Sequence, residues 1–179
     1  MTMVADFSVA EPVLADAEAL SAMAQASFCD TFAYRNYPAD DLAGFLATAM
    51  GPERYAAQIA DPAYGLRIVR NLSNEIIGFI KMGPNDLPLV DGDQNDAVRE
   101  LHQLYLLPAA KGTGMADFLM NWGVEWARAE GARSLYLSVY FENIRAQKFY
   151  ARHGFVEIGK NPFWVGQTCD DDRVWRRPL

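Results

Sequence analysis

Apolar residues recur along this chain with two spacings, one typical of strands and one typical of helices. Short apolar runs at residues 66–70 and 76–82 enclose a polar segment, which predicts an antiparallel hairpin. Residues 112–130 carry apolar side chains at helical spacing and predict a long amphipathic helix. Both kinds of pattern therefore occur within one chain.

The remaining patterns complete the order of elements. They predict helices at residues 15–32, 40–50, 52–61 and 143–153, with Asp40 capping the second, and strands at 7–11, 100–107, 135–139, 155–158, 163–165 and 173–175. Helices come first, then a hairpin, then strand–helix–strand–helix–strand. This order predicts an α/β fold in which helices cover both faces of a mixed sheet.

The composition is that of an ordinary globular protein. The 179 residues are 51% hydrophobic and 22% charged, which suits a single domain spanning residues 1–179. We expect no membrane segment, because no run of about 18 apolar residues occurs, and no signal peptide. Only two cysteines are present, Cys29 and Cys169, and neither forms a motif with other potential ligands. We therefore expect no metal and a cytoplasmic location.

The formal net charge of −7 narrows the classes of partner. Non-specific binding to nucleic acid needs a cationic face, so we expect no nucleic-acid partner. The charge is compatible with a small cationic substrate, although charge that serves only solubility is the favoured explanation of the net charge alone.

The most informative segment is LHQLYLLPAAKGTGMA, residues 101–116. It predicts a strand, a proline turn and a glycine-rich loop that leads directly into a helix. Glycines allow close approach of the backbone, and the helix N-terminus attracts anions, so such a loop can hold a phosphate. The loop is too short for a dinucleotide fingerprint and lacks the Gly-Lys-Ser/Thr ending of a triphosphate loop. Alone, the loop is a weak signal, because a glycine pair before a helix is more often just a tight turn.

A second segment, NIRAQKFYARHGF at residues 143–155, strengthens the functional interpretation. Asn143 follows a predicted strand, where it either caps the next helix or contacts a ligand. Gly154 ends that helix, and Tyr150 lies on it. Together the two segments indicate an enzyme that binds a pyrophosphate-bearing cofactor and uses a tyrosine beside it.

These segments resemble the GNAT superfamily of N-acetyltransferases. The family's cofactor motif, Gln/Arg-x-x-Gly-x-Gly/Ala after a strand ending in Val-x-Pro, corresponds here to Lys111, Gly114 and Ala116 after Leu106 and Pro108. Lys111 departs from the usual Gln or Arg but still supplies a cation. The family's second motif is matched by Asn143, Ala146, Phe149, Tyr150, Gly154 and Phe155. The resemblance covers nearly the whole chain.

The resemblance implies the GNAT fold, a mixed, mostly antiparallel sheet of about seven strands with helices on both faces. Acetyl-CoA, as cosubstrate, is then expected in the splay between the family's fourth and fifth strands, here residues 100–107 and 135–139. Its pantetheine arm would follow Leu104, Tyr105 and Leu106 as an added strand would. Its pyrophosphate would contact Lys111, Gly112, Thr113, Gly114, Met115 and Ala116, with Asn143 as a further contact.

The resemblance also implies a mechanism. A primary amine would attack the thioester after losing a proton to a general base, and Tyr150 would protonate the departing thiolate. Many relatives carry a glutamate as the base at the position of His102. Histidine can serve there, and Glu100 lies on the same face of the strand, where it would orient His102 or act through water. The base is therefore His102, Glu100 or a chain of waters.

The acceptor is less constrained than the reaction. Softer similarities, including Thr31-Phe32 and the ending Phe163-Trp-Val-Gly166, resemble the PaiA-like branch, whose members acetylate polyamines. In relatives the segment between the first two helices lines the acceptor site, which points to Phe32, Tyr34 and Tyr37. Amino-acid, aminoglycoside and protein N-terminal amines are alternatives, as is a noncatalytic acyl-CoA-binding regulatory module. The resemblance also allows a homodimer, with Trp164 and Trp175 either at its interface or in the core.

Overall fold

The computed structural model describes residues 2–4, 7–94 and 97–179, and its centre is an eight-stranded sheet. The strands lie side by side in the order β1-β2-β3-β4-β5-β6-β8-β7. Their bounds are β1 Thr2–Val4, β2 Phe7–Ala10, β3 Gly65–Arg70, β4 Ile76–Gly83, β5 Val98–Leu106, β6 Ser134–Tyr140, β7 Val156–Val165 and β8 Thr168–Pro178.

Neighbouring strands are antiparallel everywhere except between β5 and β6, which are parallel. The predicted mixed, mostly antiparallel sheet is therefore confirmed, as is the hairpin, which forms β3 and β4. The strand β1 adds an edge that the apolar pattern did not indicate.

Within the described residues, five α-helices cover the two faces of the sheet. They are α1 Ala17–Phe32, α2 Ala39–Ala49, α3 Pro52–Ala60, α4 Met115–Ala129 and α5 Ile144–Arg152. Consecutive residues of β4 show how the faces are divided, because side chains alternate along a strand. Phe79 packs into a core shared with α1, whereas Ile80 packs into a core shared with α4. Within the described residues, no helix is both long and apolar enough to cross a membrane.

Three predicted boundaries are wrong for local reasons. The helix predicted from residue 112 begins at Met115, because Gly112 and Gly114 both have left-handed backbone angles. Asp40 does not cap α2, since Pro38 occupies that position and Asp40 lies in the first turn. The strands predicted at 155–158 and 163–165 are one strand, β7, because its pairing with β8 continues past a bulge between Glu157 and Gly159.

The parallel pair at the centre of the sheet is short. Only Val98, Arg99 and Glu100 of β5 pair with residues of β6, after which the two strands separate. The separation coincides with a bulge in β5: Leu101 pairs with Met82 and Gln103 with Lys81, which leaves His102 as the extra residue. Bulges bend a strand and increase its twist. We infer that the bulge at His102 contributes to the opening between β5 and β6.

Candidate active site

A cavity of 930 Å³ lies where β5 and β6 separate, and it extends to both faces of the sheet. We call one part the loop-side half; it is lined by the loop after β5 and by α5, through Lys111, Gly112, Gly114, Asn143, Arg145 and Tyr150. We call the other the helix-side half; it is lined from α1, α3, β4 and β8 by Phe28, Phe32, Arg54, Lys81, Asp170 and Asp172. The opening between the strands joins the two halves.

The loop at residues 111–116 presents its backbone to the loop-side half. Gly112 and Gly114 have φ angles of 81° and 83°, which L side chains rarely adopt. Thr113 Oγ1 donates a hydrogen bond to the carbonyl oxygen of Ala110 at 2.8 Å and so fixes the turn. The first N–H groups of α4 follow at once, which makes the loop suited to an anion.

Not every residue predicted for this loop reaches the cavity. Lys111, Gly112, Gly114 and Ala116 line it, whereas Thr113 and Met115 are not among its lining residues. The Met115 side chain is fully buried in the core beneath α4. Any contact of Met115 with a ligand would therefore use its backbone.

The cations of the loop-side half add to the attraction for anions. Lys111, Arg145 and Arg152 all line the cavity. Lys111 Nζ lies 3.8 Å from Asp30 Oδ2, an exposed pair of the kind that contributes little to stability. Asn143 caps α5, because its Oδ1 accepts a hydrogen bond from the Ala146 N–H at 3.1 Å.

The open edge of β5 faces the gap between the strands. The Leu107 N–H donates to the Ile77 carbonyl oxygen of β4 at 2.8 Å. Because peptide groups alternate in direction along a strand, those of Leu104 and Leu106 point the other way, towards β6. The register between β5 and β6 ends at Glu100, so these groups are available to an extended ligand.

Tyr150 lies on α5 and lines the cavity. Its ring packs edge-on against Phe149 and Phe155, at centroid distances of 5.5 and 5.9 Å. Burial raises the pKa of Tyr150 to about 12. The phenol therefore keeps its proton at neutral pH and can donate it.

Glu100 and His102 lie in contact at the start of the gap. His102 Nδ1 lies 3.2 Å from Glu100 Oε1, and His102 Nε2 lies 2.9 Å from the carbonyl oxygen of Pro84. A carbonyl oxygen only accepts, so Nε2 donates in the contact with Pro84. The remaining carboxylate oxygen of Glu100 accepts the Asp86 N–H at 2.9 Å.

The three aromatic residues predicted for the acceptor site take different positions. Phe32 lines the helix-side half, whereas Tyr34 and Tyr37 are not among the lining residues. Tyr34 is exposed and packs against the ring of Tyr140 at 6.4 Å. The Tyr37 hydroxyl donates a hydrogen bond to Asp170, which also pairs with Arg35. Tyr37 thus supports a residue of the cavity wall.

Two ionisable residues of the helix-side half were not identified from the sequence. Burial, with a smaller effect of the nearby Arg54, lowers the pKa of Lys81 to about 8. Burial raises the pKa of Asp172 to about 6, against the opposing effect of a hydrogen bond from Ser138. A lysine within the apolar run 76–82 was the available signal for Lys81. An aspartate two residues before the buried Val174 was the signal for Asp172.

The described residues contain no cluster of three or more histidine, cysteine, aspartate or glutamate side chains arranged to hold a metal ion. Cys29 and Cys169 are both free thiols.

Comparison with known proteins agrees with this geometry. The acetyltransferase (GNAT) family model matches residues 19–155. An uncharacterised N-acetyltransferase of Mycobacterium bovis is 33% identical over 169 residues, which cover 93% of this chain and 99% of the relative.

Two solved structures share the fold. The PaiA N-acetyltransferase of Thermoplasma acidophilum, solved with coenzyme A, has a TM-score of 0.74 and 17% identity, with coverage of 97% of this chain and 99% of that one. A proposed acetyltransferase of Salmonella typhimurium, solved with its cofactor acetyl-CoA, has a TM-score of 0.66 and 19% identity, with coverage of 97% and 94%.

The fold and the site define an acyltransferase class. The chain belongs to the acetyltransferase (GNAT) family, as the family model over residues 19–155 and the full-length N-acetyltransferase relative show.

Proposed function

We propose that the protein transfers the acetyl group of acetyl-CoA to the primary amine of a small cationic molecule, with a polyamine as the leading acceptor. The observation that carries this proposal is the separation of charge within the cavity. In the loop-side half the cations Lys111, Arg145 and Arg152 outnumber Asp30 and Asp117. In the helix-side half four carboxylates outnumber the cations Arg54 and Lys81; these are Asp86, Glu100, Asp170 and Asp172. A phosphate-bearing cosubstrate and a cationic acceptor fit these two surroundings respectively.

The loop-side half has the features that a coenzyme A moiety requires. The loop at residues 111–116 would hold the pyrophosphate through its backbone N–H groups. The open peptide groups of Leu104 and Leu106 would hydrogen-bond the pantetheine arm as a neighbouring strand would. Tyr105 lies between them in β5 and lines the cavity, and Asn143 lies at the start of α5.

Acetyl-CoA supplies the acetyl thioester, and two groups of the chain move protons. An ammonium cannot attack a carbonyl, so the Glu100–His102 pair takes a proton from it, directly or through water, and releases that proton to solvent after the transfer. Tyr150 donates its proton to the departing sulfur. The thiol formed has an ordinary pKa of about 8.5 and so stays mostly protonated at neutral pH, while the phenolate left on Tyr150 regains its proton from solvent.

Release of free thiol from acetyl-CoA, measured with a panel of amines, tests the acceptor class. We expect kcat/KM for spermidine and spermine to exceed that for amino acids by about tenfold or more, because a carboxylate-lined pocket attracts an acceptor without its own carboxylate. Saturable binding of acetyl-CoA with no amine-dependent turnover would instead indicate the regulatory module.

One residue favours a second candidate, an acceptor that carries a carboxylate. Arg54 lines the helix-side half, and no ion pair of its guanidinium occurs in the part of the chain that the structure describes. Arginine recognises carboxylates well, so an amino acid could place its carboxylate at Arg54. The same panel separates the candidates, because glutamate or glycine would then exceed spermidine.

Replacing the histidine of the proposed base tests its role. We expect His102→Ala to lower kcat about 100-fold at pH 7, a typical contribution of general-base catalysis, with little change in the affinity for acetyl-CoA. Steady-state kinetics across pH would measure it.

The other histidine of the chain provides the control. His153→Gln removes a side chain that contacts Asp117 outside the Glu100–His102 pair, so its kcat should stay near that of the natural protein. Full turnover of His102→Ala at pH 7 would exclude His102 as the base and leave Glu100 or water.

Several sequence predictions stay predictions. These are the extent of the domain, the cytoplasmic location, the absence of a nucleic-acid partner and the assembly into a homodimer. The two tryptophans named for an interface differ in position: Trp175 packs against the core, whereas Trp164 is exposed.

A further inference from the structure

Resting on the proposed function, we propose that Asp172 binds the ammonium group of the acceptor and so selects cationic over neutral acceptors. Asp172 lies on β8, paired across the sheet with Tyr140 of β6 and Asn161 of β7. It lines the helix-side half of the cavity although only 8% of its surface is exposed.

The carboxylate of Asp172 lacks a compensating cation. Ser138 Oγ donates a hydrogen bond to its Oδ2 at 3.0 Å. No arginine, lysine or histidine pairs with it in the described residues. A buried carboxylate without a cation is costly for a folded chain, so its presence at a cavity wall calls for a functional reason.

The two preceding aspartates show that the lack of a cation partner is specific to Asp172. Asp170 points to the same face and is occupied by Arg35 and the Tyr37 hydroxyl. Asp171 points to the opposite face and pairs with Arg173 at 2.8 Å and with Lys160 at 3.7 Å. Of three consecutive aspartates, two line the cavity, and of these only Asp172 is left for a cation from outside the chain.

Asp172 lines the same cavity as Tyr150, the group proposed to act as the acid, and Tyr105 lines it too. Besides burial, both Tyr150 and Asp172 raise the pKa of Tyr105, so each of them lies within electrostatic reach of Tyr105. An ammonium held at Asp172 would therefore lie in the cavity that Tyr150 also lines.

The groups around Asp172 give its charge a defined pH dependence. They are Ser138 and Tyr140 from β6, Tyr105 from β5, Asn161 from β7, and Asp170 and Asp171 from its own strand. Burial, with a smaller effect of the two aspartates, raises its pKa to about 6. The carboxylate is therefore ionised at neutral pH, and acceptor binding should weaken as the pH falls through about 6.

Asp172→Asn is the direct test, since it removes the charge and keeps the shape. We expect KM for spermidine to rise about 30- to 100-fold at pH 7.5, as loss of a charge-assisted contact implies, with kcat within about threefold. The rise of KM below about pH 6 should disappear, while the dissociation constant for acetyl-CoA stays unchanged. Asp171→Asn is the matched control: the same change, one residue away on the other face, should leave KM at pH 7.5, kcat and the dissociation constant for acetyl-CoA unaltered. It should keep the rise of KM at low pH and move it only slightly to lower pH, since Asp171 adds to the pKa of Asp172.

Ser138→Ala gives a second test that keeps the charge. The hydrogen bond from Ser138 lowers the pKa of Asp172, so its removal should shift the acid limb of KM to higher pH and raise KM only a few-fold at pH 7.5. If Asp172 served folding alone, neither Asp172→Asn nor Ser138→Ala would change the acid limb of KM. Circular dichroism and thermal melting would confirm that the variants are folded.

Direct binding separates this inference from the proposed reaction. Calorimetric titration of spermidine into the protein saturated with coenzyme A needs no turnover. Binding by the natural protein that is lost in Asp172→Asn supports the inference even if no amine is acetylated. Equal binding or equal KM in the two proteins overturns it, as does the absence of spermidine binding by the natural protein.

Discussion

Tyr150→Phe is expected to lower kcat by about 100-fold or more, because it removes only the proton donor for the leaving thiolate. The ring contacts with Phe149 and Phe155 remain, so the fold and the affinity for acetyl-CoA should be kept. Because burial raises the pKa of Tyr150 to about 12, the natural enzyme should show no loss of rate from this group between pH 6 and 9. Thiol release at saturating acetyl-CoA and amine measures the effect.

Tyr34→Phe is the matched control for the loss of a phenol. Tyr34 is exposed, lies outside the cavity lining, and loses the same hydroxyl in the variant. Its kcat should equal that of the natural protein. A Tyr150→Phe enzyme with undiminished kcat would show that solvent protonates the thiolate.

Gly114→Val is expected to weaken acetyl-CoA binding at least about tenfold. Gly114 has a φ of 83°, and an L side chain in the left-handed region costs roughly 1–2 kcal/mol, more when it is β-branched. The loop relieves this strain by moving, and movement takes its N–H groups away from the pyrophosphate. Since each 1.4 kcal/mol corresponds to a tenfold change in the dissociation constant, strain of this size accounts for the expected loss of affinity for acetyl-CoA. Calorimetry with acetyl-CoA would measure it.

Gly92→Val is the control for backbone strain by itself. Gly92 has a φ of 95° and, like Gly114, open space where a side chain would be built, but it is not among the residues lining the cavity. The control should lose stability in a thermal melt and keep its affinity for acetyl-CoA. If both variants bind acetyl-CoA as the natural protein does, the loop is not the phosphate site.

The parts of the fold that could be predicted depend on neighbours in sequence. The loop with Gly112 and Gly114 and the cap at Asn143 depend on local backbone conformation. Their residue types alone therefore predict them. The gap between β5 and β6 was expected only from the family resemblance. The apolar pattern did not reveal the bulge at His102, because the register of β5 is set by its pairing with β4.

The parts that could not be predicted depend on contacts between distant residues. Tyr37 and Asp170 are 133 positions apart in the sequence. No residue close to Tyr37 in the sequence indicates that its hydroxyl donates to Asp170 of β8 and does not line the cavity. Asp172 is one of three consecutive aspartates of identical chemistry. Only the direction of each side chain from the folded strand, together with the cations Arg35, Arg173 and Lys160, distinguishes them.

The position of β8 has a consequence for the synthesis of the protein. This strand, Thr168–Pro178, is synthesised after the other strands of the sheet, yet it lies between β6 and β7 and carries Asp170 and Asp172. Arg35 and Tyr37, which follow α1, contact Asp170 and so hold their part of the chain to β8. Nascent chains can fold progressively from the N-terminus, but here the proposed amine-binding side of the cavity is assembled only after β8 has been made. A chain that stops before Thr168 would keep the loop at residues 111–116 and lose Asp170 and Asp172 from the cavity wall.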